Sequence, residues 1–243
     1  MAPPTLRRSA PDLRGRVDLA YHVHVRPVPH PALPDGRAGI VWLSDGTLRV
    51  CGPETRAWRP DRTGVAVTGL RLTAGAAQAV LGVPAVDLLD RRVELADLWG
   101  AAAGRLTDGL SATGDDARRQ VRLLESLVRA RSRSGGRIDP VARHVATRLG
   151  RAPVRISELA REVGLSERQL HRRSLSAFGY SPATLARVLR LQRFLHAGRR
   201  PGAARPLAEL AALAGYADQS HLARDCRALT GLPASALLLR AVA

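Results

Sequence analysis

Lysine is absent from this 243-residue chain: all 38 basic residues are arginine, set against 21 acids for a formal charge of +17. So complete a bias also follows from the base composition of a gene, so the number of arginines by itself assigns none of them a partner. Aromatic residues are scarce, eight in all, and the three tryptophans, Trp42, Trp58 and Trp99, fall in the first half. There are only two cysteines, Cys51 and Cys226, one in each half of the chain, a pattern that gives no disulfide framework and suits a reducing compartment. No uninterrupted apolar run approaches the ~18 residues that a membrane span needs. The opening residues, with Pro3, Pro4, Arg7 and Arg8, lack the apolar core of a signal peptide, so a cytoplasmic location is expected.

Also missing are a Gly-rich phosphate loop, G-x-S-x-G, C-x-x-C and H-E-x-x-H, and with them the commonest signs of an enzyme. His22 and His24 share one face of a strand and could begin a metal site, but beyond His30 and Cys51 no third ligand suggests itself. Neither a metal nor a cofactor is expected. Asp87, Asp90, Glu94 and Asp97 lie among Arg91 and Arg92 at helix-start positions, where capping accounts for them.

What is present is concentrated in the second half. Residues 137 to 243 hold 18 arginines against 7 acids, whereas residues 1 to 136 hold 20 against 14. The same region writes one pattern twice. Leu159-Ala160, Gly164, Arg172 and Gly179 are echoed about 51 residues later by Leu210-Ala211, Gly215, Arg224 and Gly231, the mark of a duplicated unit. Each copy is an apolar-spaced helix stopped at glycine, then a capping residue, Ser166 or Asp218, and a second helix running to about Ala177 or Leu229. Helix, turn and capped helix is the unit that sets its second helix in a DNA major groove. Leu170, Ser174 and Phe178 form the inner stripe of one second helix, and Leu222, Cys226 and Leu229 that of the other.

The opposite faces carry Arg168, His171 and Arg172, and Gln219, Ser220, His221 and Arg224, side chains able to hydrogen-bond base edges. Between the copies, Gly179-Tyr180-Ser181-Pro182 starts a rod of roughly 14 residues, about 20 Å long, with Leu185, Val188, Leu191 and Leu195 buried. Ser166, Arg173, Arg187 and Arg190 are expected at phosphates, which position a protein on DNA without specifying bases. The Gly-to-Gly interval is 15 residues in the first copy and 16 in the second, so the two should read different sequences.

Ahead of this lie a loose arm (1–18), strands from Leu19, at Gly39 to Leu43 and Leu48 to Cys51 around an Asp45-Gly46 turn, and at Gly64 to Leu72. Helical patterns follow near residues 75–81, 95–110 and 115–130, giving an α+β reading for a sensing or dimerisation domain over 19–130. Trp42 and Trp58 are candidate walls of an effector pocket. Arg131 to Arg137 reads as a flexible linker. Asp139, with Pro140, should cap the first helix of the all-α region 138–243, and Ser157 the next.

The second half resembles the AraC/XylS-type DNA-binding domain. The match rests on Leu159-Ala160, Val163-Gly164-Leu165-Ser166, Leu170, Arg172, Gly179-Tyr180-Ser181-Pro182, Arg190-Leu191, Leu210-Ala211, Gly215-Tyr216, Asp218, Arg224 and Gly231 to Pro233. Ser174 and Cys226 depart from it, standing where the pattern usually has a large apolar residue. Gly39 to Pro53, Gly69 to Ala85 and Asp90 to Gly100 resemble the N-terminal domain found ahead of such regions. The resemblance implies a sequence-specific transcription regulator, activator or repressor, whose two recognition helices enter successive major grooves. Double-stranded DNA is the implied partner, with RNA polymerase, a small-molecule effector and a second copy as further candidates. The alternatives are a non-specific architectural nucleic-acid binder and an enzyme built around Cys51.

Overall fold

Alternation along the strands gives the first half its two faces. The computed structural model describes residues 5–25, 31–60, 62–134, 136–199 and 205–242. Strands β1 (Thr5–Arg8), β2 (Val17–His24), β3 (Gly39–Leu43), β4 (Leu48–Cys51), β5 (Ala66–Leu72) and β6 (Arg92–Glu94) form one sheet in the order β1-β2-β5-β3-β4-β6. Every pair is antiparallel. Successive side chains point to opposite faces, so Ile40, Trp42, Leu48, Val50, Leu70 and Leu72 enter the core. Their neighbours Val41, Leu43, Arg49, Cys51 and Arg71 face the other way.

Helices α1 (Ala77–Leu81), α2 (Leu95–Trp99), α3 (Ala101–Ser111) and α4 (Ala117–Ser134) cover the core face with Val80, Leu81, Leu95, Leu110, Leu124 and Val128. Burying each such side chain contributes roughly 1.5–3 kcal/mol. The architecture is α+β, with the helices on one side of an antiparallel sheet.

Four sequence expectations change here. The arm is not loose: Thr5–Arg8 is an edge strand, Leu6 opposite Tyr21, because β2 offers it a free edge. The helix expected over 95–110 breaks at Gly100, whose φ of +51° no continuous helix accommodates. Residues 131–134, read as linker, extend α4, since Val128 is followed by a further turn that keeps Arg131 over the Trp99 ring at 4.9 Å. Ser157 lies inside its helix rather than capping it. His30 falls outside the described residues.

The second half is helical: α5 (Pro140–Arg151), α6 (Ile156–Glu162), α7 (Glu167–Phe178), α8 (Pro182–Gly198), α9 (Leu207–Ala214), α10 (Gln219–Thr230) and α11 (Ala234–Val242). It has two cores, and α8 belongs to both. Leu185 and Leu189 pack with Leu159, Leu170 and Phe178 of the first unit. Val188, Leu191, Phe194 and Leu195 pack with Leu210, Leu222 and Cys226 of the second. Because one helix fills both cores, the units are fixed to each other through a rod 17 residues long. Among the described residues no helix is long and apolar enough to cross a membrane.

Candidate nucleic-acid interface

Each second helix is set by the same local devices. Gly164 and Gly215 take φ of +66° and +86°, which turns the chain sharply into the caps. Ser166 Oγ then accepts from the Gln169 amide at 3.2 Å while Gln169 Oε1 accepts from the Ser166 amide at 2.9 Å, a reciprocal box that starts α7. Asp218 Oδ1 accepts from the His221 amide at 2.6 Å and starts α10. Leu170, Ser174 and Phe178 are buried on α7, and Leu222, Cys226 and Leu229 on α10. What remains outside is a solvent-exposed face on each helix: Arg168, His171 and Arg172 on one, Gln219, Ser220 and Arg224 on the other. His221 is held more closely, 32% exposed, its ring edge-on to Tyr216 at 5.1 Å.

The four side chains expected at phosphates all have partners inside the protein. Ser166 is committed to its capping box. Arg173 Nη1 lies 3.2 Å from Asp139 Oδ1, and Asp139 also caps α5. Arg187 Nε donates to Asp225 Oδ1 at 2.5 Å, pinning α8 to α10. Arg190 Nη1 lies 3.2 Å from His221 Nε2, and the same guanidinium sits over Tyr216 at 5.4 Å. Arg193, further along the same helix, donates to the Ala214 carbonyl at 3.1 Å and to the Leu149 carbonyl, tying the ends of α9 and α5 to α8. Burial lowers its pKa.

Asp225 went unnoticed in the sequence. It is 5% exposed, its Oδ1 takes Arg187, and its Oδ2 has no hydrogen-bond partner among the described residues. An acid four residues after His221, in a half so short of acids, was the available signal.

The outer face of the sheet floors a cavity of about 320 Å³. Its walls are apolar, from Val23, Val41, Leu43 and Val67, with Trp58 on one side. Arg92 stacks on the Trp58 ring at 3.6 Å and pairs with Glu54. Trp42 does not contribute: its parity in β3 sends it into the core, where it is 4% exposed. Gly52 lets the rim pass close to Leu88, whose carbonyl oxygen would lie 1.7 Å from any Cβ there.

The rim touches both helix-turn-helix units. Tyr180 Oη donates to the Glu54 carbonyl, the Ala57 amide donates to the Leu229 carbonyl at 2.7 Å, and Gln192 Nε2 donates to the Pro34 carbonyl at 2.6 Å. His22 and His24, the candidate start of a metal site, sit ring to ring at 5.3 Å, and His22 Nδ1 bonds Thr68 Oγ1 at 2.7 Å.

Two capped helix-turn-helix units hung on one shared helix define the class of the second half, a double helix-turn-helix domain. Residues 159–240 match the family described as helix-turn-helix domain. Among solved structures, an apo variant of ToxT from Vibrio cholerae is similar over 97% of this chain and 96% of its own, at 11% identity and a TM-score of 0.49. ToxT bound to an unsaturated fatty acid is similar over 93% and 92%, at 11% identity and a TM-score of 0.47. No curated protein sequence matches the chain.

Proposed function

We propose that this chain is a sequence-specific DNA-binding transcription regulator of the AraC type, that α7 and α10 read two successive major grooves, and that the sheet cavity receives a small-molecule effector. The observation that carries the reading is the pair of exposed helix faces, each beginning at a capped N-terminus and differing in chemistry. One offers arginine and histidine, the other glutamine, serine and arginine with His221 engaged behind them, so a single polypeptide suits a non-palindromic site. Bidentate arginine contacts to guanine discriminate by roughly 1–3 kcal/mol each.

The test is Arg172→Ala, measured on duplexes selected for binding and on random duplex. We expect a loss of about 1–3 kcal/mol on the selected site and relaxed preference at one base position, with little change on random DNA. Equal loss on both would remove Arg172 from the base-reading set and favour non-specific binding.

The effector reading rests on the cavity. Its apolar walls suit an apolar body, and the Arg92 Nε, buried without a hydrogen-bond acceptor among the described residues, suits an acceptor group on it.

A further inference from the structure

With Arg173, Arg187 and Arg190 engaged by Asp139, Asp225 and His221, the backbone-binding charge has to be sought elsewhere. A second recess, on the seam between the sheet and the start of α5, gathers Arg14, Arg16, Arg137 and Arg143. No acid pairs with any of the four among the described residues. The one carboxylate lining the recess, Asp139, is taken by Arg173 and by the Val141 amide. Arg16 Nε is buried and finds no acceptor among the described residues. Arg14, Arg137 and Arg143 are exposed. Four like charges converging without a counter-ion repel one another, and a partner rich in anionic oxygens relieves that cost.

The place of the recess identifies which anion. Asp139 joins it to α7 through Arg173, one residue along from the exposed Arg172. The same end of α5 packs beside α7, since both the Ala142 methyl and the Phe178 ring lie within 3.4 Å of the Cβ position at Gly75. The turn that carries Arg14 and Arg16 is anchored to the sheet by the Thr73 amide on the Arg16 carbonyl at 2.9 Å, and by Leu13 in the core. Two arginines of the N-terminal half are thus presented rigidly on the flank of the first reading helix.

We propose that this recess is a DNA-backbone site: Arg14, Arg16, Arg137 and Arg143 hold phosphates beside the groove entered by α7, so that the N-terminal half itself contacts DNA. The inference rests on the DNA-binding reading above, but it concerns phosphates rather than bases. Binding therefore gains affinity there without gaining specificity.

The experiment is a salt titration of binding by the full chain, comparing the parent with Arg14→Ala/Arg16→Ala on a selected duplex and on random duplex of equal length. Each phosphate that the protein no longer neutralises lowers the slope of log K against log salt by ~0.9. The double variant is expected to reduce the slope by about 1 to 2 on both duplexes and to leave the ranking of sites unchanged. Arg14→Ala/Arg143→Ala, both exposed, guards against a folding defect at the half-buried Arg16 and is expected to act alike. Unchanged slopes for both variants would overturn the proposal and leave the recess to an acidic protein partner, while Arg172→Ala would still report base reading. A change in site ranking would likewise overturn it, because a phosphate site carries no sequence information.

Discussion

Burial pushes the Glu54 carboxyl up to about 7, although the Arg92 guanidinium pulls it the other way. In the unfolded chain the same group titrates near its ordinary 4.5. Between those values the folded protein holds the extra proton, so Glu54 makes stability fall as pH rises from 4.5 to about 7, with no further loss above. The full effect is at most about 3 kcal/mol. Glu54→Gln removes the titration. Urea unfolding at pH 5 and pH 8 should therefore show the variant gaining on the parent by up to that amount, whereas a constant difference would mean that Glu54 is ionised at both. Nothing around Cys51-Gly52-Pro53 marked this residue in the sequence, because its environment is made by Arg92, 38 positions away. Ser174 and Cys226 were legible, since both fall on the inner stripe of a periodic helix, and both are buried. The cost at each differs in kind. Ser174 Oγ has no partner among the described residues, while Cys226 is a thiol pushed up to about 11 by desolvation.

At the scale of the elements, caps and turns were readable because they are local. Asp139, Ser166 and Asp218 each cap the helix that the sequence assigned to them, through hydrogen bonds to amides only two or three residues away. The outer face of α8 was not readable, because what lies against it is α10, which returns to it some 30 residues later. Arg187 and Arg190 look solvent-facing on an isolated rod and are engaged by Asp225 and His221 in the folded chain. This bears on mechanism, since His221 is both a candidate base reader and a member of the clamp. A double-mutant cycle on Arg187→Ala and Asp225→Asn, followed by thermal or urea unfolding, should give a coupling of about 1 kcal/mol, modest because the arginine is partly exposed. On the proposed function, both single variants should weaken base preference at the half of the site assigned to α10 and spare the half assigned to α7. Additive effects on stability, together with a loss of salt slope in Arg187→Ala alone, would return Arg187 to the phosphates.

At the scale of the whole molecule, the sequence divided the chain at 131–137, where composition changes, and composition does not see which segments touch. The rim of the cavity crosses that division. Between Glu54 and Trp58 it faces the cavity with the Glu54 and Trp58 side chains, while its backbone meets Tyr180 of the first unit and Leu229 of the second. Five residues thus lie between the cavity and both helix-turn-helix units, so a shift of the rim is felt at both units. Tyr180 is the member that can be cut cleanly: it is buried, its ring packs in the first core, and only its hydroxyl reaches the Glu54 carbonyl. Tyr180→Phe keeps the ring and leaves that carbonyl short of a donor, at a cost of about 1 kcal/mol. If the rim is held from outside, hydrogen exchange at the Ala57 amide, which bonds Leu229 in the other unit, should quicken several-fold in the variant. DNA affinity of the full chain should shift with it, and base preference should not. Unaltered exchange at Ala57, with unaltered affinity, would mean that the rim keeps its shape through its own bonds, the Ala32 and Trp58 backbone pair and those from Thr55 to Asp90, and that the Tyr180 hydroxyl does not couple the cavity to the helix-turn-helix units.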